Sequence, residues 1–184
     1  MRQLIALQTI PTLVPYDKGD KMMAKVVHHF SCTSLTIGKW RRLRQNAKGL
    51  VIFYSPDKAR MTYYIDNDQA GYKIEYPFSY IKNIFLENED GETPGGLVVE
   101  LKFPPRFSMN STEWGQFYQS GDFTEDQQAS QVMTHYLGGD PKVLSGQLAK
   151  LVSLESFITR HHAIVNHTPL PDAQRSSNTR SRSM

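Results

Sequence analysis

Five cations and a tryptophan fall within ten residues of one another, as Lys39, Trp40, Arg41, Arg42, Arg44 and Lys48. A guanidinium group grips a phosphate or a guanine edge with two parallel hydrogen bonds, and an indole stacks on a base. Nucleic-acid contact is therefore the chemistry this segment offers. Anionic lipid would suit the same charges. A solvated hairpin end with Trp40 and Leu43 packed inward accounts for the residues equally well, because charge runs are commonly exposed faces. Lys58, Arg60 and Arg106 extend the patch only if the fold brings their turns beside it.

Other reactive side chains do not form a catalytic pattern. Adjacent His28 and His29 on a strand point to opposite faces, and no Cys or carboxylate stands at zinc-ligand spacing from any histidine pair. Cys32 sits among apolar residues with no neighbouring base, as a structural thiol does. Asp122, Glu125 and Asp126 precede an apolar-periodic run, where carboxylates suit the positive end of a helix. Gly138 and Gly139 lack the spacing of a phosphate-binding loop. The expectation is a non-enzymatic protein without cofactor or metal.

The elements that must position the basic segment read mostly as strands. Residues 25–37 alternate, with a parity switch near Thr33 that implies a bulge or corner. Short strands follow at 50–54, 61–65, 72–76 and 81–86, and 97–103 is the cleanest alternation, with Leu97, Val99, Leu101 and Phe103 facing a core. The Asp66, Asn67, Asp68 and Gly71 cluster marks a hairpin. Thr124 and Gln127 fit a capping box, and Ala129, Val132, Met133, Tyr136 and Leu137 then recur at helical spacing before Gly138. From Pro141 a second helix carries a wide apolar face. Within it Leu148, Leu151, Leu154 and Phe157 could meet either the chain's own core or a second copy.

Length and composition agree with one β-rich domain. The chain has 184 residues, nine Tyr and nine Phe, and a single cysteine, which excludes an intrachain disulfide. No apolar run reaches the roughly 20 residues of a spanning helix. The net charge is +3, of which the polar stretch 171–184 supplies +2 through three Arg and one Asp. A strongly basic domain surface is thereby excluded, and only local clustering can argue for nucleic acid. The division expected is an extended segment at 1–24, a domain at 25–167 and a disordered tail at 168–184.

Tyr76, Pro77, Phe78, Ser79, Tyr80, Ile81, Lys82, Asn83 and Ile84, followed by 96–101 and by Pro104, Pro105, Arg106 and Phe107, resemble the middle strands of pleckstrin-homology-like (PH-like) domains. The stretches at 120–126 and 148–157 are similar to regulatory proteins of filamentous fungi. The resemblance implies an α+β fold, an antiparallel β-roll or barrel of about seven strands with two C-terminal helices. It also implies a nuclear transcriptional regulator. Joined to the basic segment, it makes DNA the expected partner and a protein-interaction or dimerisation module the alternative.

Overall fold

The computed structural model describes residues 26–92, 94–110 and 116–162. The segments expected at 1–24 and 168–184 lie outside the described residues. Strand β1 (His28–Phe30) breaks at residues 31–33, and β2 (Ser34–Ile37) continues in a different sheet. The parity switch near Thr33 is this corner. It is held by Thr33 N–H donating to Gly138 O at 2.8 Å and by the Gln147 amide, which accepts from Ser31 N and donates to Ser31 Oγ.

The chain continues through β3 (Trp40–Leu43), β4 (Leu50–Ser55), β5 (Arg60–Asp66), β6 (Gly71–Pro77), β7 (Ile81–Glu87), β8 (Gly96–Leu101), β9 (Arg106–Asn110), β10 (Tyr118–Gln119) and β11 (Thr134–Gly138). The helices are α1 (Gln128–Gln131), α2 (Pro141–Val152) and α3 (Glu155–Ile158). One antiparallel sheet has the order β1-β4-β5-β6-β9-β10, and the second β3-β2-β11-β8-β7. The β5–β6 hairpin turns where expected. Asp66 Oδ1 accepts from Asp68 N–H, Asn67 Oδ1 accepts from Ala70 N–H, and Asp68 takes a positive φ of 70°.

The core lies between the sheets. Tyr54, Met61, Tyr63, Ile74 and Tyr76 from the first face Leu35, Ile37, Leu97, Val99 and Leu137 from the second, and all are buried. Alternation decides the split, since side chains of one parity line one face. Along β8, Leu97, Val99 and Leu101 point inward as expected, whereas Phe103 lies beyond the strand and is 45% exposed.

Two expectations need correction. The β-roll or barrel of about seven strands does not form, because among the described residues the two sheets are open and no ladder joins their edges. Side chains take the place of ladder bonds. On one side α2 lies between β1 and β7, with Leu144, Leu151 and Gln147 buried. On the other, Phe123 fills the space between Trp40 of β3 and Tyr72 and Phe107 of the first sheet. Nor does the long helix expected after Thr124 form. Its start is one 3₁₀ turn and the single turn α1, and its second half, Thr134 to Gly138, is the central strand of the second sheet. The Asp122 carboxylate accepts from the N–H and hydroxyl of both Thr124 and Ser130, and Thr124 Oγ1 accepts from Ala129 N–H, which closes that turn.

Candidate functional site

The basic segment spans the β2–β3 turn, the edge strand β3 and the loop after it. Register decides which of its side chains reach solvent. Trp40 pairs with Ile37 and Arg42 with Leu35, so both face the interior of the sandwich, while Arg41 and Leu43 face outward. The Trp40 indole stands edge-on to Phe123 with centroids 6.4 Å apart. Arg42 Nη2 donates to the Asp66 carbonyl at 2.7 Å and ties β3 to the end of β5. Arg42→Ala should therefore lower stability by about 1 to 3 kcal/mol, the range for a hydrogen bond from a charged donor, and a thermal melt at neutral pH measures it.

Lys39, Arg41, Arg44 and Lys48 are exposed. Lys48 stands beside a hollow that Asp66 and Asp68 also line, so carboxylates share its surroundings. Lys58 lies in the β4–β5 turn. Arg60 pairs with Glu75 at 3.5 Å, and Glu75 is in register with Arg106. Arg60, Glu75 and Arg106 thus sit on the outer face of the six-stranded sheet, across the sandwich from Arg41. The nine residues do not form one surface.

The apolar residues expected at an interface are divided in the same way. Leu151 is fully buried, Phe157 is 4% exposed, and Leu148 and Leu154 pack half-buried against the same core. These four serve the chain's own interior. Ile158, at 61% exposure, and Val152 are the large apolar residues of α2 and α3 that are exposed.

The buried polar groups have no access to substrate. The Tyr63 hydroxyl lies 2.6 Å from the Tyr76 hydroxyl and 2.9 Å from His135 Nδ1, and all three residues have zero exposure. His135 Nε2 has no partner among the described residues. Burial pushes the His135 imidazole down to about 3 and both tyrosines above their ordinary range. Cys32, also buried, is pushed up to about 12 by desolvation. These groups stay neutral at physiological pH, as structural groups do. Among the described residues, no three His, Cys, Asp or Glu side chains gather to hold a metal.

Sequence reasoning missed the outer face of the five-stranded sheet. Register places Phe85, Val98, Tyr136, Thr36 and Arg41 in one row across all five strands, with Leu43 two residues along β3. Phe85, Tyr136 and Leu43 are 40%, 48% and 50% exposed, whereas Val98 between the two aromatics is 3% exposed. Asn83 Nδ2 donates to Glu100 Oε2 on the same face, and Glu87 lies two residues beyond Phe85. The face therefore runs from a cation at the β3 edge, through an aromatic centre, to carboxylates at the β7–β8 edge. The alternation of Thr134, His135, Tyr136 and Leu137 carries the signal for it, hidden beneath a helical spacing that the same residues satisfy.

Comparison with known proteins adds the lineage. The chain is 57% identical over 165 residues to "Pyriculol/pyriculariol biosynthesis cluster transcription factor 1" of Pyricularia oryzae, a match covering 84% of this chain and 26% of that protein. It is 37% identical over 131 residues to "Homeobox transcription factor phx1" of Schizosaccharomyces pombe, covering 61% of this chain and 14% of that one. The chain thus spans about a quarter or less of the curated relatives it matches. The family described as the TRF2/HOY1 PH-like domain matches residues 29–145, from β1 through β11 into α2. That match takes in more than half of the chain and every strand of both sheets, and the chain belongs to the TRF2/HOY1 PH-like domain family.

Proposed function

We propose that this domain is the protein-interaction module of a nuclear transcription regulator and is separate from the part of that regulator that reads DNA. The observation that carries the reading is the exposed pair Phe85 and Tyr136, which flank the buried Val98 on the outer face of the five-stranded sheet. Exposed apolar surface framed by polar groups marks a place where another protein docks. PH-like domains are non-enzymatic. Both relatives are named as transcription factors, and a nuclear location follows from that role. One of them is a homeobox factor, and a homeodomain is a three-helix unit that reads the major groove with its third helix. The region shared here is built of strands, with a longest helix of 12 residues among those described, so it corresponds to another part of that protein.

The competing reading, DNA contact through the basic segment, draws on Lys39, Arg41, Arg44 and Lys48, which are exposed, but loses Trp40 and Arg42 to the interior. A mobility-shift assay on a pool of random duplexes at about 0.15 M salt separates the two. The expected result is association without an enriched motif and a Kd no tighter than about 10⁻⁶ M, the non-specific range. Arg41→Ala with Arg44→Ala should weaken that residual binding uniformly across sequences. A tight complex that selects a motif, and loses it with these two substitutions, would return DNA reading to this segment.

A further inference from the structure

We propose that the outer face of the five-stranded sheet docks on the same face of a second copy of this chain, about a two-fold axis running along the central strand β11. The inference rests on the interaction-module reading and names its partner. A self-docking face must be complementary to itself, so each patch must meet its match when the molecule is turned by 180°. Here the sheet order does this. β11 has two strands on either side, with β2 and then β3 in one direction and β8 and then β7 in the other. Rotation about an axis parallel to β11 lays the β3 edge of one copy over the β7 edge of the other.

Near the shared row the charges at those edges are opposite, and the exposed Lys82 of β7 stands three residues before Phe85, away from Glu87. Arg41 is the outward cation of β3, and Glu87 the outward carboxylate at the end of β7, with Glu100 one strand inward. Arg41 and Phe85 share a row, so the guanidinium of one copy lies over the Phe85 ring of the other, within a long side chain's reach of Glu87. The alternative axis, perpendicular to the strands, would set Arg41 against Arg41 and is disfavoured by like charge. With the axis along the strands, Tyr136 meets its own copy at the centre, where an aromatic side chain contributes most. Strands of the two sheets then run near-aligned, the ordinary arrangement for sheets packed face to face.

The face is small. Five strands spaced about 4.8 Å apart and exposed over four or five residues give roughly 20 by 15 Å. Two such faces bury roughly 600 to 1,000 Å² in total, under the usual range for stable complexes. An interface of that size is expected to be weak and transient, which suits a contact that acts when two regulators are already held near one another.

Sedimentation equilibrium of the 184-residue chain from about 5 to 500 μM tests the proposal, with circular dichroism to confirm folding of each variant. The expected result is a monomer–dimer equilibrium. Tyr136→Glu weakens it at least about tenfold, as loss of a central aromatic does. Arg41→Glu and Glu87→Arg each weaken it about two- to fivefold, the range for a rim ion pair, and the two combined in one chain restore it. Tyr136, Arg41 and Glu87 are all exposed, so the fold tolerates these changes. A chain monomeric throughout, or a dimer indifferent to Tyr136 and to the charge exchange, overturns the proposal. Either outcome leaves the interaction-module reading standing for a different partner, whereas a motif-selecting DNA complex would remove that reading itself.

Discussion

Acidification from about pH 6.5 to about pH 3 should remove more stability from this domain than its carboxylates account for, because His135 is buried as the neutral ring. In the unfolded chain its imidazole takes up a proton near the ordinary value of 6.5, whereas inside the fold it resists protonation down to about 3. Desolvation is the cause, since the residue has zero exposure and its Nε2 meets no partner among the described residues. The folded-state value is depressed, so the contribution is intact above about pH 6.5. It falls by about 1.4 kcal/mol for each pH unit below that and is exhausted near pH 3, a total of several kcal/mol. Against the 5 to 15 kcal/mol typical of a whole domain, this one ring can decide where acid unfolding occurs. His135→Asn isolates it. The shorter side chain can still offer an amide to the Tyr63 hydroxyl at the place of Nδ1, but it does not titrate. The variant should be less stable at pH 7, through the cavity it leaves, and its stability should vary with pH more gently, by about one proton between pH 6 and pH 4. Urea titrations at a series of pH values give both slopes. Parallel slopes for the two proteins would mean that the imidazole is already protonated in the fold.

The hairpin core of the first sheet was legible because its signals agree. Strands β4, β5 and β6 fall within one or two residues of where alternation and turn residues place them, since Asp66, Asn67 and Gly71 leave the chain few options. The segment 124–138 misled because two periods coincide in it. Ala129, Val132, Met133, Tyr136 and Leu137 satisfy a helical spacing, yet Thr134 to Leu137 also alternate, and pairing with β2 on one side and β8 on the other outweighs one amphipathic stripe. That pairing is a long-range property no local window contains. The barrel failed for a related reason. Closure depends on whether edges meet, and here α2 and Phe123 occupy the gaps where further ladders would have run.

The candidate site shows the same limit. The cluster at 39–48 was visible as composition, but its division into inward Trp40 and Arg42 and outward Arg41 and Leu43 is a matter of strand register. A one-residue difference in register exchanges the two sets. Register likewise gathers Phe85, Val98 and Tyr136 from strands up to 51 positions apart in sequence, so no spacing rule could have joined them.

Phe157→Ala should cost about 3 to 5 kcal/mol of stability, the range for removing a buried aromatic ring, which makes α3 part of the core that holds the sandwich closed. The Phe157 ring stands edge-on to Phe78 with centroids 5.7 Å apart, and the Arg160 guanidinium lies over the Phe157 ring, 4.1 Å from its centroid. Around it the Arg160 Nε donates to Ile81 O and Ser156 Oγ to Pro56 O, so α3 and the residues just after it are tied to β7 and to the β4–β5 turn. Emptying the ring's place removes transfer energy and leaves a void that these ties prevent from collapsing. Its neighbour Ile158 is 61% exposed, and Ile158→Ala should change stability by no more than about 0.5 kcal/mol. The pair separates a core helix from an interface helix. If α3 is core, chemical denaturation shows a lower midpoint for Phe157→Ala at every protein concentration, with an unchanged slope, and almost none for Ile158→Ala. If the helix instead joined two copies, both variants would shift a concentration-dependent transition, and the midpoint of the dilute monomer would not move.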